Sequence, residues 1–530
     1  MAAEDRIIGP PGTGKTTALA RALKHNAELV GPDLVVAISH TRAAAAELAG
    51  RDTTLPSGNV GTLHSFAFSA LQHPAIIEGD RKALLAFNQE HAAFQFGACR
   101  PVEDLESGVA VQDRGEAMLA EYGRLRNMML PRDQWPNMEV LAFAEVWESF
   151  KQDAGALDFT DLIEHALRDV DEAPQCPMVM AVDEAQDTSR LQWALVQKWA
   201  EPCERLITAG DPDQAIFTWA GADPDWFIEN APERKIVLEQ SYRVPRAVVE
   251  VALPWIGQIS NRDDVTYQAR DAEGSVERPG ITFRRANEVA DLARELAERG
   301  TVMILASCAY MLRDVVAALR ESGTPFANRY RRERGDWNPL SRRGEGSSVS
   351  ALLAFLEPLQ PGSPRLWTTE EARDWLGITT KVLRRGEKKK LTDWPNNLSG
   401  TQIVTRMAQT FNSHEDLSAA MDGDLDWFEA HVQHSRLNVV KFALHCVAQH
   451  GFAALQEDPK ITVGTIHSVK GGEADSVIIC PDLSYQGYGQ WWSDGDRGRN
   501  DIVRQFYVGM TRARETLCIC APATNMAVMI

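Results

Sequence analysis

Short apolar runs recur along the chain and alternate with stretches of helical periodicity. In the first half, the runs RII, LVVAIS, MVMAV and RLITAG have the pattern of buried strands, and helical patterns such as TTALARALKH separate them. This alternation predicts a parallel sheet with helices on both faces. A second set of runs, KIVLEQ, TVMILAS, ITVGTIH, SVIIC and TLCICA, predicts a second sheet of the same kind. We therefore predict an α/β fold with two parallel-sheet layers that face each other across a cleft.

Helix-like segments interrupt both sets of strands. Residues 71–150 contain RKALLAFNQEHAAF and MEVLAFAEVWESFKQD, and residues 331–455 contain Pro and Gly breaks and five tryptophans. We predict that each segment is a mainly helical insertion. The predicted domains are a first sheet domain of residues 1–70 and 151–230, its insertion at 71–150, a second sheet domain of residues 231–330 and 456–530, and its insertion at 331–455.

The length and composition of the chain agree with several domains. The chain has 530 residues, whereas single cores stop growing at roughly 250 to 300 residues. No apolar run reaches the roughly 18 residues of a membrane span, and the opening MAAEDRIIGP lacks a signal-peptide pattern. We predict a soluble, intracellular protein with no membrane partner. The eight cysteines include no CxxC pair, which favours buried thiols over a metal site or disulfides.

Charge is distributed unevenly. The formal net charge of −19 argues against a protein that coats nucleic acid through bulk positive charge. Residues 331–400 nevertheless hold 13 Lys or Arg against 9 Asp or Glu, and they include most of RYRRERGDW (329–337) and all of KVLRRGEKKK (381–390). Either a solvated loop or contact with a polyanion explains these basic runs, and both alternatives stay open.

The segment GPPGTGKT, from Gly9 to Thr16, fits the pattern GxxxxGKT of a phosphate-binding loop. It follows the strand candidate RII and precedes a helical pattern, which is the context that such a loop requires. Its glycines let backbone N–H groups turn toward phosphates, and the helix N-terminus adds positive partial charge. Lys15 can reach the β and γ oxygens, and the Thr16 hydroxyl can bind Mg²⁺.

Carboxylates follow the strand candidate MVMAV directly, in the segment DEAQD. Ligands in α/β sheets bind beyond the carboxyl ends of the strands, so these acids are predicted to face the nucleotide. Asp183 could hold Mg²⁺ through water, and Glu184 could orient and deprotonate the attacking water. These roles require two carboxylates in different environments, one on the metal and one free to accept a proton.

Further motifs follow the phosphate loop along the chain. They are AISHTRAAAAEL (37–48), GTLHSFA (61–67), LDFTDLI (157–163), VDEAQD (182–187), AGDPDQAIFTWAGAD (209–223), LEQSYR (238–243), VGTIHSVKGGEAD (463–475) and FYVGMTRARETL (506–517). With the phosphate loop, these nine motifs and their order resemble those of UvrD/Rep-type superfamily 1 DNA helicases, and the resemblance covers nearly the whole chain. The resemblance implies two RecA-like P-loop NTPase motor domains, each with a helical insertion.

The resemblance also implies roles at the nucleotide. Gln214 would sense the γ-phosphate, and Arg243 and Arg512 would reach it from the second motor domain; Arg514 is predicted to be a surface partner. Gln186 and Asp187 would couple the Mg²⁺ site to the Gln214 loop. The predicted catalytic residues are Glu184, Gln214, Arg243 and Arg512, and the predicted metal ligands are Thr16 and Asp183. The predicted cofactors are ATP and Mg²⁺. Tyr242 would stack on adenine, and Glu473 would accept hydrogen bonds from the ribose. The predicted cofactor-binding residues are Gly9, Pro10, Pro11, Gly12, Thr13, Gly14, Lys15, Thr16, Thr17, Tyr242 and Glu473.

A second implied group contacts a single strand of nucleic acid. Trp219 would offer a stacking face to a base, and stacking suits a motor that must pass over any sequence. His467 and Lys470 would face the strand backbone. The predicted nucleic-acid contacts are His40, Thr62, His64, Trp219, His467 and Lys470.

The predicted function is an ATP-driven motor that moves 3′ to 5′ on single-stranded DNA and unwinds duplex ahead of it. The predicted partners are single-stranded DNA and single/double-strand junctions; RNA is disfavoured, and the sequence identifies no protein partner. One alternative is a translocase that strips proteins from single strands with little unwinding. Another is a nucleotide-dependent protein switch that does not act on nucleic acid.

Overall fold

The computed structural model describes residues 3–51, 53–97, 114–263, 265–328, 330, 337–342, 347–360, 362–363, 366–493 and 495–530. The chain forms two compact units. Unit 1 comprises Met1–Gly280, Leu305–Met311 and Thr465–Ile530, and unit 2 comprises Ile281–Ile304 and Leu312–Gly464. The division of the chain into four domains with boundaries near residues 70, 150, 230, 330 and 455 stays a prediction.

Six parallel strands form the first sheet. They are β1 (Ala3–Ile8), β2 (Val35–Ser39), β3 (Val60–Thr62), β4 (Val179–Val182), β5 (Arg205–Gly210) and β6 (Arg234–Val237). Their order in the sheet is β3-β2-β4-β5-β1-β6. Strands β2 and β4 are buried along their whole length, as expected for parallel strands that are covered on both faces. The four apolar runs predicted for this sheet all form strands within it.

One strand assignment from the sequence is wrong. The run KIVLEQ was predicted for the second sheet, but its first residues form β6, which pairs in parallel with β1 from Asp5–Arg234 to Ile8–Val237. The strand lies at the edge of the first sheet and is largely exposed. An apolar run shows that a strand forms, but it does not show which strand will be its neighbour.

The remaining strands form a ribbon and a second sheet. They are β7 (Gln240–Pro245), β8 (Gln268–Arg270), β9 (Ser275–Glu277), β10 (Val302–Ala306), β11 (Phe326–Ala327), β12 (Ile461–Thr465), β13 (Ala474–Ile479) and β14 (Ala513–Ile519). The six-stranded sheet has the order β11-β12-β10-β13-β14-β9, and β7 pairs in parallel with β8 in the separate ribbon. The runs TVMILAS, ITVGTIH, SVIIC and TLCICA supply β10, β12, β13 and β14, as predicted.

Helices account for most of the remaining regular structure. Those of unit 1 are Lys15–Val30, Arg42–Gly50, Leu63–Ala70, Arg81–Glu90, Arg114–Asn127, Met138–Ala154, Phe159–Asp169, Arg190–Ala200, Pro224–Glu229, Arg246–Ile256, Tyr485–Ser493 and Gly495–Met510. Those of unit 2 are Ala286–Arg299, Arg313–Glu321, Ser348–Leu356, Thr369–Ile378, Gly400–Thr410, His414–Met421, Leu425–His431 and Leu437–His450.

The two segments predicted as insertions are helical where the structure describes them, and each has its own apolar core. In the first, Phe87, Phe143 and Trp147 pack together. In the second, the core includes Trp367 and Trp375. Two parallel sheets with helical insertions confirm the predicted fold class. The basic run at 329–337 lies almost wholly outside the described residues. No described helix is both long and apolar enough to cross a membrane.

Candidate nucleotide and nucleic-acid sites

The phosphate loop connects β1 to the helix Lys15–Val30. Gly12 and Gly14 have φ values of 77° and 82°, a left-handed conformation that glycine adopts without strain. A Cβ on Gly12 would also lie 2.5 Å from the Cβ of Arg243. The Lys15 Nζ donates to the Gly9 carbonyl oxygen at 2.6 Å. Burial lowers the pKa of Lys15 despite neighbouring carboxylates. An anion bound in this loop would stabilise the charged form of the lysine.

The segment QSYR, in β7, is hydrogen-bonded to the phosphate loop. The Ser241 hydroxyl and the Tyr267 hydroxyl each donate to the Pro11 carbonyl oxygen at 2.9 Å. The Tyr242 backbone N–H donates to the Gly12 carbonyl oxygen at 2.8 Å. These bonds fix the backbone and leave the Tyr242 side chain 71% exposed beside the loop. An exposed aromatic ring at this place is available to stack on a base.

The two carboxylates after β4 lie in different environments. Glu184 has a φ of 52°, a costly conformation for a residue with a side chain and one that is concentrated at functional sites. Burial and the charge of Glu184 raise the pKa of Asp183 to about 7. Burial also opposes ionisation of Glu184, but the charges of Lys470 and Lys15 outweigh it and lower the pKa of this group. Glu184 is thus the more readily ionised of the two carboxylates.

Thr16 and Asp183 fit a Mg²⁺ site. The Thr16 hydroxyl is hydrogen-bonded to the Asp183 carboxylate, whose ionised form would be stabilised by a bound cation. Among the residues described by the structure, no cluster of three or more His, Cys, Asp or Glu could hold a metal ion. Mg²⁺ commonly binds through one or two carboxylates, water and substrate phosphates, so this donor set suits Mg²⁺ that arrives with a nucleotide.

Gln214 lies at the centre of a hydrogen-bond network in the nucleotide site. Its side chain donates to the Asp211 carboxylate at 2.5 Å and accepts from the Arg512 guanidinium at 3.0 Å. Arg512 is 1% exposed, and it is anchored further by a bond to the Val508 carbonyl oxygen at 3.0 Å. The network holds this arginine beside the residue that is predicted to sense the γ-phosphate.

Gln186 connects the DEAQD segment to the loop that carries Gln214. Its amide nitrogen donates to the Glu184 carboxylate at 2.5 Å, and its amide oxygen accepts from the Asp211 backbone N–H at 2.9 Å. The predicted coupling between these two segments therefore has a direct hydrogen-bonded route through a fully buried side chain.

Lys470 contacts the nucleotide-site residues rather than the cavity that contains Trp219. Its ammonium group pairs with the Asp187 carboxylate and donates to the Gln214 carbonyl oxygen at 2.7 Å. The Glu184 carboxylate lies 3.8 Å away. Contact between Lys470 and a strand backbone stays a prediction, and its position adds a charge to the nucleotide site that sequence analysis missed.

A cavity of about 150 Å³ is lined by residues of the phosphate loop and by Asp183, Glu184, Gln214, Lys470 and Arg512. Arg51 was not anticipated here; its guanidinium donates to the Thr17 hydroxyl at 2.7 Å. It follows the helix Arg42–Gly50, and no local motif marks it. The charged lining is Lys15, Glu47, Arg51, Asp183, Glu184, Arg243, Lys470 and Arg512. Five cations around one cavity suit a polyphosphate with its metal ion.

Arg243 and Arg514 share one carboxylate. The Arg243 Nε donates to one Glu473 oxygen at 2.8 Å, and the Arg514 Nη1 donates to the other at 2.6 Å. Burial raises the pKa of Glu473, but the hydrogen bond and charge of Arg243, with those of Arg514, lower it overall. Arg514 was expected to be a surface partner; it is partly exposed, yet it directly contacts a predicted nucleotide-site residue.

A larger cavity of about 630 Å³ contains Trp219 and His467. The His467 ring accepts from the Gln505 amide at 3.2 Å, and its other nitrogen lies 3.1 Å from the Ile216 carbonyl oxygen. Burial lowers the pKa of His467 to about 4, so the ring is neutral near pH 7. The Trp219 indole and the neutral His467 ring share the lining of this cavity with two arginines, Arg124 and Arg497, and two carboxylates, Glu121 and Asp501. The indole offers a face on which a base could stack.

The other predicted strand contacts do not line this cavity. His40 stacks on Phe217, with ring centroids 5.1 Å apart. His64 packs edge-on against Phe159 at 6.2 Å. Thr62 caps the helix Leu63–Ala70, where its hydroxyl accepts from the Ser65 N–H at 3.2 Å. The structure thus brings together Trp219 and His467, and contact of His40, Thr62 and His64 with a strand stays a prediction.

His40 should make the stability of the protein depend on pH. Burial, with the charge of Lys470, lowers the pKa of His40 from 6.5 to about 3. Between these values only the unfolded chain binds the proton, so this contribution to stability is present above pH 6.5 and is lost as pH falls. The variant His40→Phe should keep the stack on Phe217 but lack the titrating ring. Between pH 7 and pH 5, the unfolding free energy of the original chain should therefore fall by roughly 1 to 2 kcal/mol more than that of the variant. Urea unfolding at both pH values measures this; equal losses would contradict it.

Two family models match the chain. The model of the UvrD/REP helicase N-terminal domain matches residues 4–234, and that of the UvrD-like helicase C-terminal domain matches residues 424–523. They include the phosphate loop, DEAQD and Gln214 in the first match and Lys470, Glu473 and Arg512 in the second. The matched residues make up more than half of the chain.

Curated relatives carry names of the same kind. "ATP-dependent DNA helicase PcrA" of Leuconostoc citreum is 26% identical over 77% of this chain and 54% of its own length. "DNA helicase II" of Rickettsia typhi is 22% identical over 97% of this chain and 89% of its own length. "Probable DNA helicase II homolog" of Mycoplasma pneumoniae is 25% identical over 51% of this chain and 44% of its own length. Apart from the Rickettsia protein, the chain covers about half or less of the length of these relatives. The two matched domain models nevertheless show that the chain belongs to the UvrD/Rep helicase family.

Proposed function

We propose that the chain is an ATP-dependent DNA helicase that moves 3′ to 5′ on single-stranded DNA and unwinds duplex DNA. One observation carries the proposal: two loops each contribute to both sites. One loop has Gln214 in the nucleotide site and Trp219 in the larger cavity. The other has Lys470 in the nucleotide site and His467 in the larger cavity. A strand that moves either loop would therefore also move groups that contact the nucleotide.

Hydrolysis would use the side chains in the smaller cavity. Glu184, the ionised carboxylate, would accept a proton from the attacking water while the oxygen of that water forms its bond to the γ-phosphorus. Lys15, Arg243 and Arg512 would stabilise the charge that develops on the phosphoryl oxygens and on the departing diphosphate. Thr16 and Asp183 would hold Mg²⁺, which when bound would supply positive charge that neutralises the phosphates.

Coupling to the strand would run through Gln214 and Arg512. These side chains are hydrogen-bonded to each other at 3.0 Å, and Trp219 lies five residues after Gln214 on the same loop. Stacking of a base on Trp219 would shift the loop, and Gln214 and Arg512 would shift relative to the phosphate. The 3′ to 5′ direction comes from the family resemblance.

The first experiment is steady-state ATP hydrolysis by the purified chain without nucleic acid, with single-stranded DNA and with single-stranded RNA, each at two salt concentrations. We expect strong stimulation by DNA that weakens as salt rises, because binding to a phosphate backbone releases counterions. Hydrolysis that neither strand stimulates would reject the proposal and favour a nucleotide-dependent protein switch.

Strand displacement then tests unwinding and direction. Duplexes with a 3′ tail, a 5′ tail or no tail are compared at equal ATP, and we expect displacement from the 3′-tailed duplex alone. Displacement from the 5′-tailed duplex alone would reverse the polarity. If the chain strips a protein from single-stranded DNA but does not displace a strand, it is a translocase rather than a helicase.

Replacing Trp219 with Ala should weaken the binding of a single strand while leaving the binding of ATP nearly unchanged. The variant loses the stacking contact with one base. Its affinity for a single strand should therefore be weaker by roughly 5- to 100-fold, which corresponds to about 1 to 3 kcal/mol. ATP affinity without DNA should stay within about 2-fold, because Trp219 does not line the nucleotide cavity. Fluorescence anisotropy of a labelled strand measures the effect. Trp492→Ala is the matched control, since Trp492 is 69% exposed and lines neither cavity; an equal loss in both variants would rule out the stacking role.

A further inference from the structure

Asp213 lies in residues 211–219, the Gln214 loop, and is paired with an arginine from outside the nine motifs. The Arg262 Nε donates to both Asp213 carboxylate oxygens, at 2.9 and 3.0 Å, and its Nη2 donates to one of them. The Arg262 and Asp213 side chains are only 24% and 14% exposed. A planar guanidinium that contacts a carboxylate through two nitrogens fixes direction as well as distance. The pair therefore holds the Gln214 loop in one position relative to Arg262.

The segment that carries Arg262 also reaches the phosphate loop. Tyr267 follows Arg262 closely in the sequence, and its hydroxyl donates to the Pro11 carbonyl oxygen at 2.9 Å. The next residue, Gln268, begins β8, and its backbone N–H donates to a carbonyl oxygen directly before β7 at 2.9 Å. Tyr267 is thus held directly before a strand that pairs with β7. One short segment therefore contacts both the Gln214 loop and the phosphate loop.

A small cavity shows that these parts of the chain adjoin. Its volume is about 20 Å³, and its lining includes Pro10 of the phosphate loop, Asp211 and Asp213 of the Gln214 loop, Arg262 and Tyr267. A space of this size holds about one water molecule and no larger ligand. Arg262 lines neither the nucleotide cavity nor the cavity that contains Trp219. The pair can therefore affect hydrolysis only through the loops that it joins.

The Gln214 loop has three anchors, and they lead to different parts of the nucleotide site. Gln186 and Arg512 hold it from the side of the groups that would contact the γ-phosphate. The third anchor, the Asp213–Arg262 pair, leads to the phosphate loop, whose backbone N–H groups would hold the α and β phosphates. A shift of the Gln214 loop can thus reach both ends of the triphosphate.

We propose that Arg262 is a positioning residue that joins the Gln214 loop to the phosphate loop, and that a strand bound at Trp219 acts on hydrolysis through the Asp213–Arg262 pair as well as through Arg512. The proposal rests on the proposed function, since it gives the coupling in that motor a second route. It predicts that loss of the pair weakens the effect of the strand on hydrolysis and leaves both binding sites intact. Part of the effect remains, because the route through Arg512 is unchanged.

The first test compares the original chain with Arg262→Gln. ATP hydrolysis is measured with and without saturating single-stranded DNA, and the affinities for ATP and for the strand are measured separately. In Arg262→Gln we expect the stimulation of kcat by DNA to fall by about 10-fold, within the range found for residues that couple two sites. The basal rate and both affinities should stay within about 3-fold, because Arg262 lines neither cavity. Arg262→Lys keeps the charge but not the planar fork, and should keep part of the stimulation.

Two further comparisons separate this role from a general loss of stability. Asp213→Asn removes the other partner, and the double variant should lose no more stimulation than either single variant, since both changes break the same pair. Lys235→Gln is the matched control: Lys235 pairs with Asp263, the neighbour of Arg262, and its side chain is 35% exposed. This second pair does not include the Gln214 loop, so the stimulation should stay within about 2-fold of the original.

Amide hydrogen exchange provides a second readout that needs no nucleic acid. ADP lacks the γ-phosphate, so it should act on the Gln214 loop through the phosphate loop rather than through Gln214 itself. We expect bound ADP to slow exchange of residues 211–219 in the original chain, and we expect this slowing to be lost in Arg262→Gln. Equal slowing in the two chains would overturn the link between the loops.

Two results of the hydrolysis test would also overturn the proposal. Unchanged stimulation in Arg262→Gln, with a lower melting temperature, would make the pair a structural contact only. An equal fall of the basal and the stimulated rates would mean that the pair shapes the chemistry rather than the coupling. Failure of the proposed function gives a different result, namely no stimulation by DNA in the original chain. The exchange comparison would then still decide whether Arg262 joins the two loops.

Discussion

The variant Glu184→Gln should hydrolyse ATP about 10²- to 10⁴-fold more slowly than the original chain, the range typical for loss of a general base. This corresponds to roughly 3 to 5 kcal/mol in the activation free energy. The amide keeps the shape of the side chain and can still bond to Gln186, which contacts the Glu184 carboxylate at 2.5 Å. It cannot accept the proton of the attacking water, so the effect should fall on kcat.

ATP binding should survive this change. Burial raises the pKa of both Asp183 and Asp187, and the charge of Glu184 raises each of them further. Its removal therefore favours ionised Asp183, which is the form that would bind Mg²⁺. We expect the Kd for ATP to stay within about 3-fold, and strand affinity likewise, because the nearby cations are unchanged. Single-turnover hydrolysis and nucleotide binding measure the two effects separately.

The matched control for this variant is Glu201→Gln, an exposed glutamate at the end of the helix Arg190–Ala200 in the same unit. It should hydrolyse ATP at the original rate. If Glu184→Gln also turned over normally, another group would have to accept the proton. Loss of both hydrolysis and ATP binding would instead indicate that Glu184 mainly organises the site.

The variant Arg512→Lys should lower kcat by about 10²-fold or more. An arginine that contacts the transferring phosphoryl group contributes a factor of about 10³ to 10⁵ to kcat, and lysine should retain only part of this contribution. Lysine keeps the charge but not the planar set of donors. Arg512 uses these donors to bond at once to Gln214 at 3.0 Å, Val508 at 3.0 Å and Gly472 at 3.1 Å. One ammonium group cannot reproduce this geometry, so Gln214 should lose its link to the cation.

Arg512 is buried, so a change in stability must be separated from a change in catalysis. Arg504→Lys is the control, because Arg504 is also buried, at 2% exposed, but does not line the nucleotide cavity. The two variants should have similar melting temperatures, and only Arg512→Lys should lose activity. We further expect DNA to stimulate the residual activity of Arg512→Lys less than that of the original chain. Full stimulation at a reduced rate would show that coupling does not run through Arg512.

The nucleotide site could be predicted from the sequence because its main features depend on local chemistry. The conformations of Gly12 and Gly14, the position of Lys15 at the helix start, and the carboxylates directly after β4 follow from short segments that behave in the same way in any protein with this order of elements. The predicted helical insertions followed from periodicity for the same reason. Each of these features depends on residues that are neighbours along the chain.

Tertiary structure decided which distant residues meet. An apolar run such as KIVLEQ satisfies the requirements of an edge strand in either sheet, and only the pairing of β6 with β1 places it in the first. The position of Lys470 beside Asp187, and that of Arg51 beside Thr17, likewise depend on contacts between segments far apart in sequence. The bond from Arg514 to Glu473 depends on the register between β13 and β14. The sequence by itself determined the fold class and the residue types of the nucleotide site, because these are local or periodic properties. The pairing of charges within that site was decided by the folded chain alone, since a charged side chain can pair with any opposite charge that the fold brings within reach.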